Sequence, residues 1–288
     1  MNENGTPETL LDVVRHFADE RVAWAYFVAR RWPNGVICPH CGCTGKIHVI
    51  ETRLRFRCND CGEQFSAKTG TVFEASPIPF SKWLPAIWLI TNAKNGISSY
   101  EIHRGLGVTQ KTAWFMLHRI RLAFQNGSFE NVVDDVEIDE TFIGGKARNM
   151  HKHERARKIT GTGGKDKTAV FGMLERGGEV RTFVVSDREK ATLEPIDLCD
   201  TFDHQVTDHA VAYVDGQVHT NGIENFWALL KRCLHGTYVS VEPFHLFRYL
   251  DEQVFRYNER KGTDADRFEM VCGMTASKRL TYAELTGK

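Results

Sequence analysis

Four cysteines in two pairs carry the sharpest chemical signal in this chain. Cys38-Pro-His-Cys41 and Cys58-Asn-Asp-Cys61 are each followed by a glycine, Gly42 and Gly62, and 16 residues separate Cys41 from Cys58. Two residues between ligands bring both sulfurs to one ion in a tight turn, and four thiolates close a tetrahedral structural Zn2+ site. A redox CxxC would want a thioredoxin-like βαβ context, which the flanking residues do not supply. Cys43 sits beside the first pair but out of register and reads as a bystander.

Carboxylates form the second signal. Residues 129–140 hold six acidic side chains and no basic one, with Asp139 inside the alternating run Val136-Glu-Ile-Asp-Glu-Thr-Phe-Ile. Val136 and Ile138 share one parity and Glu137, Asp139 and Thr141 the other, so Asp139 falls on the less apolar side of a strand, where it could hold a divalent cation. A solvated acidic strand is the competing reading. In Asn221-Gly-Ile-Glu-Asn-Phe-Trp-Ala-Leu-Leu-Lys, Glu224 and Lys231 lie nearly two helical turns apart and project from one face. Asn221 with Glu224 three residues later also fits a helix capping box, and one carboxylate does not easily serve both roles.

Cations supply the third. Ile97 to Trp114 reads as helix, glycine-containing turn and second helix, with Thr109 as N-cap and Val108, Ala113, Leu117, Ile120 and Phe124 as the packing stripe. Gln110, Lys111 and Thr112 then occupy the first turn, where a DNA-reading helix meets base edges and phosphates, and Arg119 and Arg121 add positive charge. A three-helix packing unit without a ligand is the plainer alternative. The segment 146–167 has eight Lys or Arg against two acidic residues, among them Lys146, Arg148 and Lys152, and suits either a phosphate backbone or a solvated insertion.

The elements that must position these groups follow from periodicity. Residues 8–32 read as one helical segment, 38–73 as a small β module, and 79–124 as three helical bursts. Three β-rich runs beginning near residues 132, 168 and 179 predict an antiparallel meander, and 219–260 turns helical again. The 288 residues, 42% hydrophobic and 26% charged, suit roughly two globular domains and exclude a disordered or collagen-like chain. Lys plus Arg equals Asp plus Glu at 37 each, so net charge neither announces nor excludes a polyanionic partner. The longest apolar stretch, Trp83 to Ile90, is too short to span a bilayer, and five acidic residues among the first twenty fit no secretory signal. A soluble cytoplasmic protein is predicted.

The segments RWPNGVICPHCG, RCNDCGEQFSAKTGTVFE, WLITNAKNGISSYEIHRGLGVTQKTAWFMLHRI, EIDETFIGGK and HTNGIENFWALLKR together resemble insertion-sequence transposases of the 1595 family over nearly the whole chain. The resemblance implies an α+β multidomain protein: a helical segment at 1–36, a zinc ribbon at 37–76, a helix-turn-helix unit at 77–128, a ribonuclease H-like DDE domain at 129–262 and a C-terminal tail at 263–288. It implies an enzyme that binds the terminal inverted repeats of its element as a synaptic homo-oligomer, cleaves the DNA and joins it to a target. Two Mg2+ or Mn2+ ions would serve that chemistry. Asp139 matches the first metal carboxylate, Glu224 the late one, and Lys231 the base that contacts substrate phosphate. The second aspartate has no clean match, because Ile196 runs almost directly into Asp197, where the family has a further strand ending in that residue. Asp208 is a weak substitute and Asp187 a weaker one. An internally deleted copy that binds DNA without cutting it, or a DNA-binding regulator, is the alternative reading.

Overall fold

The computed structural model describes residues 5–125, 135–145, 150–158, 167–185 and 219–287, and the chain divides into two compact units, 1–125 with 259–288 and 126–258. Asp187 and Asp208 lie outside the described residues, as do Lys146 and Arg148.

In the first unit two helices, α1 (Leu10–His16) and α2 (Glu20–Arg31), replace the single segment expected over 8–32. The break has a local cause: the Asp19 carboxylate accepts the Arg21 amide and starts a new helix. A three-stranded antiparallel ribbon follows, β1 (Ile47–Ile50), β2 (Arg55–Cys58) and β3 (Gln64–Ser66). Its buried face carries Phe56 and Phe65, which pack against Trp24 and Trp32 of the α2 region, so ribbon and helices share a core. Next come α3 (Phe80–Asn92), α4 (Ser99–Leu106) and α5 (Gln110–Phe124). Pro79 has no side chain to cap α3, and Glu20 does it instead, accepting the Phe80 and Ser81 amides at 2.8 Å each.

The segment 263–288, expected as a tail, is two helices, α9 (Asp264–Met274) and α10 (Tyr282–Thr286), and α9 packs on α3. Ala265, Phe268, Val271 and Cys272 recur at helical spacing and are buried, with the Phe268 ring against Phe17, Tyr26 and Trp88. A Thr263–Asp266 capping box starts α9.

The second unit holds the expected meander: β4 (Val136–Ile143), β5 (Thr168–Glu175) and β6 (Val180–Val185), antiparallel in that order. A short helix, α6 (Lys152–Lys158), lies between β4 and β5 in sequence. Helices α7 (Asn221–Cys233) and α8 (Leu246–Asn258) pack on the sheet through a core of Val170, Leu174, Val180, Ile223, Phe226, Trp227, Leu230 and Leu250.

The face of β4 that turns inward is the one the pattern marked as less apolar. Glu137 and Thr141 are buried while Glu140 and Phe142 are exposed. Two glycines let α7 lie directly over that face. A Cβ on Gly172 would sit 2.5 Å from the Trp227 ring, and one on Gly222 would sit 2.4 Å from Leu174 and 2.8 Å from a Glu137 oxygen. No described helix is long and apolar enough to cross a membrane.

Candidate metal centres and nucleic-acid interface

The two knuckles bring all four expected sulfurs together. Cys38, Cys41, Cys58 and Cys61 place their Sγ atoms within 4.8 Å of one another, with Cys38 to Cys61 at 3.7 Å and Cys41 to Cys58 at 3.6 Å. Tetrahedral Zn2+ at about 2.3 Å from each sulfur calls for sulfurs about 3.8 Å apart, so the set fits the ion. Each knuckle closes the same way: the Gly42 and Gly62 amides return to the Cys38 and Cys58 carbonyls, and both glycines hold φ near +75°. The Cys61 amide pulls the Cys58 thiol down to about 7, toward the thiolate a metal needs. Cys43 stays outside the cluster, as its register implied.

Helices α4 and α5 meet at Gly107, whose φ of 59° makes the turn. Thr109 accepts the Thr112 amide at 3.1 Å, and the whole expected stripe from Val108 to Phe124 is buried. Lys111 stands exposed at the helix start. Gln110 instead donates to Ser99 Oγ at 2.9 Å, and Thr112 Oγ1 is bonded to Thr109 Oγ1 at 2.8 Å.

Arg119 and Arg121, expected among the DNA contacts, point the other way. Arg119 is 6% exposed, donates to the Glu74 carbonyl at 2.8 Å and lies over the Phe115 ring, and burial pushes its pKa down. Arg121 is 1% exposed. Both side chains are buried within the unit, so neither stands at the surface as Lys111 does. Lys152 is exposed at the start of α6, with His153, Arg155 and Arg157 exposed on the same helix.

In the second unit the Trp227 indole Nε1 donates to Asp139 Oδ2 at 3.0 Å. Register explains it: Asp139 pairs across the sheet with Gly172, and Trp227 lies on Gly172. Glu224 and Lys231, one turn to either side of Trp227 on α7, are exposed. The indole bond fixes the orientation of the Asp139 carboxylate.

The capping-box alternative for Glu224 does not hold. The N-cap is Thr220, whose hydroxyl donates to Glu224 Oε1 at 3.1 Å, and Asn221 is already helical. The amide that an Asn221 cap would take, that of Glu224, goes to the Thr220 carbonyl at 3.0 Å, and the neighbouring Ile223 amide goes to Glu137 Oε2 at 2.9 Å. Glu137 is 5% exposed and is also approached by Arg176 Nε and His219 Nδ1 at 3.3 Å each. Sequence reasoning passed over Glu137; its only signal was its shared parity with Asp139. Mg2+ is held through one or two carboxylates plus substrate phosphates, so Asp139 and Glu224 are chemically suited to one ion. Among the described residues the cysteine set is the only cluster of three or more metal-ligating side chains.

Ribbon, paired helices and a sheet-borne carboxylate under a helix define a zinc-ribbon protein with an acidic second unit. The profile of the transposase zinc-ribbon domain matches residues 18–64, and that of the ISXO2-like transposase domain matches 131–198 and 197–258. An uncharacterised protein in transposable element ISH50 of Halobacterium salinarum is 29% identical, covering 77% of this chain and 85% of the relative. No solved structure matches. The chain belongs to the IS1595 family of insertion-sequence transposases.

Proposed function

We propose that this chain is the transposase of an IS1595-type insertion sequence, which binds the terminal inverted repeats of its element as a synaptic homo-oligomer through its first unit. The second unit is a ribonuclease H-like domain for phosphodiester hydrolysis and transesterification. The observation that carries this reading is the Trp227 to Asp139 bond, because it turns the β4 carboxylate toward the helix that bears Glu224 and Lys231, inside the segment matched to the transposase domain.

In this reading Asp139 and Glu224 would hold the catalytic Mg2+ or Mn2+, which would supply Lewis-acid activation of the attacking and leaving oxygens. Trp227 fixes the Asp139 carboxylate, Lys231 receives a substrate phosphate, and Lys111 and the basic segment that includes Lys146, Arg148 and Lys152 hold the duplex.

Strand transfer is impaired in this copy by loss of the strand that supplies the second aspartate. The match to the transposase domain breaks into two pieces that meet at residues 197–198, beside the junction where Ile196 runs almost directly into Asp197. Two carboxylates suit one ion; a two-metal site needs a further ligand.

The experiment is competition binding with a labelled duplex of the element end. An unlabelled end should displace it at concentrations at least tenfold below those of a scrambled duplex. Equal displacement by both would contradict end recognition.

A further inference from the structure

We propose that the outward face of the zinc ribbon, built on Arg55 and Arg57 of β2, is a second DNA-binding surface that grips the phosphate backbone without reading sequence. The proposal rests on the DNA-binding reading above and deepens it.

Along β2 exposure alternates: Arg55 and Arg57 are exposed, Phe56 and Cys58 buried. Their cross-strand neighbours are Ile50 and Ser66 for Arg55, and His48 and Gln64 for Arg57. The three strands contain no acidic residue, and neither guanidinium has an ion-pair or hydrogen-bond partner among the described residues. By contrast, Lys46 at the knuckle end is neutralised by Asp60 at 3.0 Å. At the hairpin end the exposed Arg53 and Glu51 offset one another, so the positive charge of this face is that of Arg55 and Arg57.

Two guanidiniums on one face of a strand repel each other, and a fold under no other demand would set a carboxylate opposite. Residues two apart on a strand are about 6.7 Å apart. Neighbouring phosphates on one strand of a duplex rise about 3.4 Å along the axis and also turn around it, which sets them at about that same separation, so the two side chains match one phosphate step. The opposite face is held against Trp24 and Trp32, and the knuckles hold the ribbon end, so the arginines are presented on a fixed surface.

The test is the salt dependence of duplex binding by the zinc-loaded full chain, wild type against the double variant Arg55→Gln, Arg57→Gln. Each phosphate contact contributes about 0.9 to the slope of log K against log salt, so the variant slope should be shallower by about 1.8, equally for element-end and scrambled DNA. The variant Arg55→Lys, Arg57→Lys should keep the wild-type slope. An unchanged slope in a glutamine variant that retains its zinc overturns the surface while leaving DNA binding in place. A wild-type chain that binds no duplex at all overturns the transposase reading and the surface with it.

Discussion

The indole of Trp227 and the carboxylate of Asp139 are joined by a 3.0 Å hydrogen bond between residues 88 apart in sequence. The bond ties the orientation of the β4 carboxylate to the seating of α7, and Gly172 is the small residue that lets the ring come down far enough. A hydrogen bond to a charged group contributes about 1.5–3 kcal/mol. A double-mutant cycle in urea unfolding with Trp227→Phe and Asp139→Ala should return a coupling energy in that range. Additive effects would mean that the bond contributes nothing.

Glu137 should matter more to stability than the exposed acids near it. Its buried carboxylate accepts the Ile223 amide and Arg176 Nε, with His219 Nδ1 3.3 Å away, and truncation leaves the Ile223 amide unpaired under α7. Glu137→Ala should cost on the order of 3 kcal/mol in denaturant unfolding of the second unit, against a few tenths for Glu140→Ala. Equal small effects would remove Glu137 from the account.

Zinc should be present at one equivalent per chain. Binding free energy for such sites is about 10 kcal/mol or more, so chelation should unfold the ribbon, seen as loss of strand signal with release of one ion. Cys58→Ser should prevent loading and Cys43→Ser should not, because only the first is in the sulfur cluster. Loss of zinc on replacing Cys43 would contradict the ligand set.

Lys111 and Arg119 share a helix but should behave in opposite ways. Lys111→Gln should flatten the salt dependence of DNA binding by about 0.9 with little change in stability. Arg119→Ala removes a bond to the Glu74 carbonyl and a stacked ring contact, and should lower the unfolding midpoint while leaving the slope unchanged.

What could be read in advance was what is local in sequence. The knuckles follow from spacing alone, and α4 and α5 from caps and a turn glycine within a few residues of one another. The β4 to β6 meander follows from alternation, but the direction in which β4 faces does not. Glu137, Asp139 and Thr141 look like a solvent side until Gly172, Gly222 and Trp227 are seen to cover them, which depends on cross-strand register and helix docking. Arg119 and Arg121 count as polar in any helical pattern, yet α5 is enclosed on most sides and buries their stems and heads alike. Helix α9 was missed for a similar reason, since its four buried positions are few and are interleaved with charged residues.

The most direct measurement is strand cleavage of labelled element-end DNA with Mg2+ or Mn2+, comparing the wild-type chain with Asp139→Ala. If the strand that carries the second aspartate is missing from this copy, as proposed, both proteins bind the end and nicking by the wild type does not exceed that of the variant. Metal-dependent nicking by the wild type that disappears in Asp139→Ala would show that another acid, with Asp208→Ala the next variant to make, completes the site, and would contradict the claim that this copy is impaired.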